Sequence, residues 1–91
     1  MTDTTRTKIA VVTGASSGIG RESAIALHKA GWTVILSARR KEMLEETVGM
    51  MVDGGKERSR IVVGDLGKKD DVRALFEVVR SEYGDSVALL S

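Results

Sequence analysis

The stretch that decides the fold of this chain is Thr13-Gly14-Ala15-Ser16-Ser17-Gly18-Ile19-Gly20. It follows an apolar run at residues 9–12 and opens a segment whose apolar residues recur at helical spacing. A glycine-rich turn between a strand and a helix presents backbone N–H groups at a helix N-terminus, where phosphate groups are commonly bound. The sequence therefore predicts a site for the diphosphate of a dinucleotide in residues 14–20.

The spacing of the glycines differs from two familiar phosphate-binding patterns. A nucleotide-hydrolysing P-loop needs a glycine five positions after the first, followed by Lys, whereas this chain has Ile19 at that position. The spacing is also not that of G-x-G-x-x-G, so a tight strand-to-helix turn without a ligand is the alternative interpretation. We expect Gly14 to allow a sharp exit from the strand, Gly18 to let a diphosphate approach the backbone, and Gly20 to permit close packing of the helix against the sheet.

Composition argues against several other classes of site. With 14 basic and 13 acidic residues the formal charge is +1, so no strong field attracts nucleic acid or an anionic membrane. The chain has no cysteine and one histidine, which argues against redox thiols and metal clusters. Residues 1–8 lack the apolar core of a signal peptide, and no apolar run could span a bilayer. These features predict a soluble, cytoplasmic protein.

Hydrophobic periodicity alternates between the patterns of strands and helices. Apolar runs predict buried strands at residues 9–12, 33–36, 61–63 and 87–90. Helical spacing predicts helices at residues 19–30, 41–52 and 72–83, which Gly31, Gly54-Gly55 and Gly84 bring to an end. Strict alternation predicts a parallel sheet, because each crossover must return over the sheet before the next strand can pair.

Right-handed crossovers place the first two predicted helices on one face of this sheet. If the fourth strand returns beside the first, the strand order is 3-2-1-4 and the third helix lies on the other face. We therefore expect a Rossmann-like α/β fold: the N-terminal half (βαβαβαβ) of a doubly wound sheet, forming one partial dinucleotide-binding domain over residues 1–91. A ligand would bind at the carboxyl ends of the strands, at the switch point between strands one and four.

Three stretches together resemble the short-chain dehydrogenase/reductase family of the classical type. They are residues 13–20 with the helix that follows, residues 34–40 (Val-Ile-Leu-Ser-Ala-Arg-Arg) and residues 62–66 (Val-Val-Gly-Asp-Leu). The resemblance covers nearly all of the chain from residue 8 onward. It implies an oxidoreductase that passes hydride between a nicotinamide cofactor and an alcohol or carbonyl. It also implies cofactor contacts from the loop, at Gly14, Ser16, Ser17, Gly18, Ile19 and Gly20.

The resemblance assigns the choice of cofactor to the end of the second strand, where Ala38 is followed by Arg39 and Arg40. A guanidinium pairs bidentately with a ribose 2′-phosphate, whereas the acid usual in NAD-preferring members would repel it. We therefore expect NADP(H) rather than NAD(H). The alternative is a solvated helix start, but cations are disfavoured there, which favours an anionic partner. Ser17 departs from the second basic residue that NADP-using relatives often carry in the loop.

Acidic residues follow the third predicted strand. Asp65 and Leu66 resemble the family's contacts to adenine, the carboxylate to the amino group and the backbone of Leu66 beside the ring. The alternative for Asp65 is a local turn in which its side chain accepts a hydrogen bond from the nearby backbone, and both interpretations can hold together. We expect Asp70 and Asp71 to be first-turn acids that favour the helix dipole, and not a catalytic pair.

Other chemically suggestive side chains are assigned no site. We expect His28 to be solvated and Trp32 to fill the corner between a helix and a strand. Three methionines should fill gaps at the second helix: Met43, Met50 and Met51.

No catalytic residue is predicted within this chain. The family's acid/base tyrosine precedes a lysine by four positions, whereas Val87 stands four positions after Tyr83, which should face the core. The family's Asn-Ala-Gly stretch and catalytic serine have no counterpart here. We therefore expect the cofactor-binding part of a truncated oxidoreductase, inactive alone; the alternative is a stand-alone, inactive dinucleotide-binding module. Residues 87–90 would form an apolar sheet edge open to self-association.

Overall fold

The structure, a computed structural model, describes residues 8–84 and the backbone of residues 87–90. Strands and helices alternate along the chain in the order β1 (Ile9–Thr13), α1 (Gly18–Lys29), β2 (Thr33–Ala38), α2 (Lys41–Gly49), β3 (Ser59–Val63), α3 (Lys69–Tyr83) and β4 (Val87–Leu90). A short 3-10 helix, Val52–Gly55, lies between α2 and β3. The predictions for residues 1–7 and for the side chains of residues 87–90 fall outside this description.

All strands of the described sheet are parallel, and their order is β3-β2-β1-β4. Val11 of β1 lies opposite Ile35 of β2 on one side and Leu89 of β4 on the other. The prediction of a Rossmann-like α/β fold with a parallel sheet is confirmed. Because all strands run in one direction, the loops that follow β1, β2 and β3 meet at the same edge, called here the carboxyl edge.

The two faces of the sheet are covered by different helices. On one face, Val34 and Leu36 of β2 pack with Ala24 of α1 and Leu44 of α2. On the other face, apolar residues of β1 and β2 pack with α3, namely Ile9, Val11, Ile35, Leu75 and Val79. Successive strand residues point to opposite faces of the sheet. Continuous apolar runs therefore supply apolar side chains to the helices on both faces.

The second helix ends three residues earlier than predicted, at Gly49 instead of residue 52. The N–H of Met51 donates to the carbonyl of Val48 at 3.0 Å, and the chain then enters the 3-10 turn, where Asp53 has a φ of 62°. This turn buries Met51 without continuing the helix, while Met50 is 53% exposed. Met51 thus fills a gap as predicted, and the same prediction for Met50 is wrong.

The prediction that His28 is solvated is wrong. His28 is fully buried, and its Nε2 lies 2.8 Å from the carbonyl oxygen of Glu57. The guanidinium of Arg58 donates to the carbonyls of His28 and Trp32, at 2.9 and 3.0 Å. Trp32 packs against the core at this corner, as predicted. These hydrogen bonds therefore hold Glu57 and Arg58, just before β3, against the end of α1.

The apolar stripe of α3 is narrower than its sequence pattern indicates. Leu75 and Val79 are buried, and Tyr83 packs against the same cluster as predicted, whereas Phe76 is 46% exposed. Adjacent helical positions differ by about 100° around the axis, so Leu75 and Phe76 cannot both face the sheet. No helix in the described part of the chain is long and apolar enough to cross a membrane.

Candidate cofactor site

A cleft of about 450 Å³ opens at the carboxyl edge of the sheet. Three segments form its walls: the loop between β1 and α1, the end of β2 with the start of α2, and the loop between β3 and α3. The lining residues are Gly14, Ser16, Ser17, Ala38, Arg39, Arg40, Met43, Gly64, Asp65, Leu66 and Gly67. The structure therefore brings together most of the predicted cofactor-binding residues, although they come from three separate stretches of sequence.

The glycine-rich loop leaves β1 through Gly14, whose φ of 66° is in the left-handed region, as a sharp exit requires. A Cβ at Gly20 would overlap the carbonyl oxygen of Gly14 and come within 2.7 Å of its carbonyl carbon. The close approach at Gly20 is therefore between α1 and its own loop, and not between the helix and the sheet as predicted.

The N-terminus of α1 faces the cleft, and no side chain of the N-cap residue covers its first N–H groups. Its N-cap residue, Ser17, makes no capping hydrogen bond through the side chain, and the first turn holds no acidic residue. Gly18 and Ile19 begin the helix beside the cleft, outside the lining set, and Ile19 is 84% exposed. The first-turn N–H groups are thus open to an anion.

The second wall carries positive charge. Strand β2 ends at Ala38, and Arg39 and Arg40 follow it as exposed residues, with Arg40 as the N-cap of α2. Within residues 8–84, no hydrogen bond or ion pair engages either guanidinium. Met43, one turn into α2, lines the same wall, so the prediction that it only fills a gap is incomplete.

The third wall is a turn held by two carboxylates. The Asp65 Oδ1 accepts a hydrogen bond from the N–H of Gly67 at 2.9 Å, which is the local turn considered for this residue. The Asp71 Oδ2 accepts from the N–H of Asp65 at 2.8 Å. Asp70 and Asp71 are in the first turn of α3 as predicted, but Asp71 also fixes the loop that forms this wall.

Among the residues that the structure describes, no three His, Cys, Asp or Glu side chains come together in a group that could hold a metal ion. The cleft holds two guanidinium groups and one carboxylate, whose Oδ1 already accepts a backbone hydrogen bond. The charged side chains of the lining therefore sum to one positive charge.

Comparison with known proteins identifies the family. The family model described as short chain dehydrogenase matches residues 8–90. The chain belongs to this family. Farnesol dehydrogenase of Aedes aegypti is 40% identical over 77 residues, which are 85% of this chain and 31% of that protein.

Solved short-chain dehydrogenases share the fold. The crystal structure of L-sorbose reductase from Gluconobacter frateurii, complexed with NADPH and L-sorbose, superposes with a TM-score of 0.81 at 35% identity, covering 91% of this chain and 32% of that one. An alcohol dehydrogenase from Thermococcus sibiricus, complexed with 5-hydroxy-NADP, gives 0.78 at 30% identity over 91% of this chain and 35% of that one. The chain spans about a third of the length of these relatives.

Two residues near the cleft were missed in the sequence. Thr47 of α2 is fully buried, and its hydroxyl donates to the carbonyl of Ala15 in the glycine-rich loop at 2.8 Å. Arg21 of α1 donates from Nε to the Thr47 hydroxyl at 2.8 Å. The partners are 26 and 32 residues from Thr47 in the sequence, and one is a backbone atom, so only the fold reveals the contact.

Proposed function

We propose that this chain binds NADP(H) in the cleft and forms the cofactor-binding part of an oxidoreductase that acts on an alcohol and carbonyl pair. The single observation that carries the proposal is the pair of exposed arginines, Arg39 and Arg40, beside the uncapped N-terminus of α1. An NADP molecule has phosphate groups at two places, the diphosphate and the ribose 2′-phosphate. The cleft has matching groups at two of its walls.

The glycine-rich loop fits the diphosphate. Backbone N–H groups at the start of α1, with the hydroxyls of Ser16 and Ser17, would donate to its oxygens, and the helix dipole favours negative charge there. Gly14 and Gly18 keep side chains out of this approach, and Gly20 lets the start of α1 pack against the carbonyl of Gly14. Because the diphosphate is common to both nicotinamide cofactors, this wall contributes affinity without choosing between them.

The arginine wall would select NADP over NAD. The family's selecting position at the end of the second strand, which is an acid in NAD-preferring members, is Ala38 here, and the guanidinium of Arg39, the next residue, would pair with the 2′-phosphate. Asp65 and Leu66 on the facing wall would contact adenine. The relatives solved with NADPH and with 5-hydroxy-NADP support this choice of cofactor.

Proton transfer would depend on residues outside these 91. Tyr83 ends α3 and packs partly buried against the core, and burial, followed by the charge of Glu82, raises the pKa of its phenol above the usual 10.0. A catalytic acid or base works best with a pKa near the working pH, so this shift is in the wrong direction. The bound cofactor would supply or accept the hydride, and the residues of this chain would bind and orient the cofactor.

Substitution of Arg39 tests the proposal. Charge-assisted hydrogen bonds contribute roughly 1.5–3 kcal/mol, so we expect Arg39→Ala to weaken NADPH binding by about ten- to a hundredfold and to leave NADH binding nearly unchanged. Fluorescence titration with each cofactor measures both affinities. Arg80→Ala, which removes an exposed arginine near the far end of α3, is the control and should change neither. Equal losses for both cofactors in Arg39→Ala would contradict the assignment.

A further inference from the structure

The side chain of Thr47 connects the glycine-rich loop to α2. Its hydroxyl oxygen lies 2.8 Å from the carbonyl of Ala15, 3.2 Å from the carbonyl of Met43 and 2.8 Å from Nε of Arg21. A threonine hydroxyl has one proton to donate. The shorter distance assigns that proton to Ala15, and the oxygen accepts from Arg21.

Arg21 completes this arrangement from α1. Its Nη2 donates to the carbonyl of Met43 at 3.2 Å and to the carboxylate of Glu46 at 3.3 Å, while its Nε donates to Thr47. The guanidinium thus satisfies the Met43 carbonyl that would otherwise compete for the Thr47 proton. A threonine within a helix commonly bonds back to the residue four positions earlier, and Arg21 releases Thr47 from that role.

The residue that Thr47 holds is fixed on both sides. Ala15 is fully buried; its carbonyl accepts from Thr47, and its N–H donates to the carbonyl of Ser37 in β2 at 3.3 Å. Its neighbours Gly14 and Ser16 line the diphosphate wall of the cleft. Ser37 lies two residues before Arg39, and Thr47 lies one turn after Met43. Two hydrogen bonds therefore link the loop to the wall that carries the arginines.

We infer that Thr47, held by Arg21, is a positioning residue that sets the separation between the diphosphate wall and the arginine wall, and thereby the preference for NADPH over NADH. The inference rests on the proposed function. NADPH must engage the diphosphate wall and the arginine wall at once, whereas NADH lacks the 2′-phosphate and so does not engage the arginines. A change in the separation of the walls therefore weakens NADPH binding more than NADH binding.

The test is Thr47→Val in the whole protein, with NADPH and NADH affinities measured by fluorescence titration. Valine keeps the branched shape but leaves the carbonyl of Ala15 without its donor. Net hydrogen-bond contributions of about 0.5–1.5 kcal/mol correspond to an expected loss of roughly two- to tenfold in NADPH affinity, with NADH affinity changed less than twofold. Thr47→Ser keeps the hydroxyl and should restore the preference.

Ser59→Ala is the matched control. Like Thr47→Val, it removes a hydroxyl that donates to a backbone carbonyl, here that of Gly55, and the half-buried Ser59 lies away from the cleft. It should leave the ratio of the two affinities unchanged even if the melting temperature falls. If Thr47→Val does not fold, Arg21→Met is measured in the same way, and the preference for NADPH should fall.

Two results for the variants would overturn the inference: unchanged affinities for both cofactors in Thr47→Val, or an equal loss for both, which would indicate support of the loop alone. A wild-type protein that binds NADPH no better than NADH would instead overturn the proposed function and, with it, this inference. The wild-type and variant titrations thus separate the two failures.

Discussion

The two edges of the sheet use polar groups in opposite ways. At the amino edge, where the strands begin, polar groups pair with one another: His28 lies against the carbonyl of Glu57, and Arg58 donates to two carbonyls at the end of α1. At the carboxyl edge, Arg39 and Arg40 face a cleft, and within the described ranges no protein group pairs with their guanidinium ends.

The difference shows which polar residues hold the fold and which are open to a ligand. Leaving a buried polar group unpaired costs about 1–3 kcal/mol, so burial favours a partner inside the protein, as the Nε2 of His28 has, although its Nδ1 has none. Exposed arginines around a concave wall have no such requirement and can bind an external anion. Substitutions at the amino edge should therefore change stability, and substitutions at the carboxyl edge should change cofactor binding.

The largest expected effect is on stability, from His28→Ala. The substitution removes a buried ring and leaves the Glu57 carbonyl without its partner, which should lower the free energy of unfolding by about 2–5 kcal/mol. Denaturant unfolding measures the loss, and Lys29→Ala, at the exposed neighbouring position, should stay within about 0.5 kcal/mol of wild type. The ratio of NADPH to NADH affinity in the folded protein should not change. A changed ratio would remove the distinction between the edges.

A smaller effect, on both stability and binding, is expected from Gly20→Ala. The new Cβ would overlap the carbonyl of Gly14 and misalign the first-turn N–H groups of α1 that would bind the diphosphate common to both cofactors. Overpacking of about 1–3 kcal/mol should weaken NADPH and NADH by the same factor, roughly five- to a hundredfold, which thermal melting with each cofactor would show. Gly49→Ala is the control, since a Cβ there meets no atom within 4 Å. Selective loss of one cofactor would contradict the role given to the diphosphate wall.

The smallest expected effect is on stability at alkaline pH, and it comes from Tyr83 at the amino edge. Burial raises the pKa of Tyr83, the charge of Glu82 raises it further, and Arg60 lowers it. Because the folded state keeps the phenol proton to higher pH than the unfolded state, stability is fully present below pH 10.0 and declines as pH rises through the folded pKa. Tyr83→Phe should make this decline shallower in urea unfolding measured at neutral and alkaline pH.

Tyr83 is the single tyrosine of these 91 residues, and the difference in phenolate absorbance between wild type and Tyr83→Phe gives its pKa in the folded protein and in denaturant. A folded value at or below the unfolded one would contradict the burial of this ring. Cofactor binding at neutral pH should be the same for Tyr83→Phe and wild type, because Tyr83 lies at the edge away from the cleft.

Periodicity and glycine spacing were sufficient to predict the alternating elements and most of the cleft. Buried apolar runs identify strands that are covered on both faces, and residues at the carboxyl ends of parallel strands meet at one edge. Arg39, Arg40, Asp65 and Leu66 could therefore be placed near the glycine-rich loop without a structure. Their contacts with a cofactor stay predictions, as do the cytoplasmic location and self-association through β4.

Contacts with backbone atoms could not be predicted in the same way. His28 and Thr47 are buried because carbonyls of Glu57 and Ala15 come within 2.8 Å, and a carbonyl carries no signature of residue type. The end of α2 was missed for a related reason, since the turn after Gly49 returns Met51 to the core at a position that a longer helix would also bury.

Parallel titration of the whole protein with NADPH and NADH, followed by nicotinamide fluorescence and thermal melting, is the most direct test of the difference between the two edges. We expect NADPH to bind at least about tenfold more tightly than NADH and to raise the melting temperature more at equal concentration. Equal affinities for the two cofactors, or no binding of either, would contradict the assignment of the carboxyl edge as an NADP(H) site.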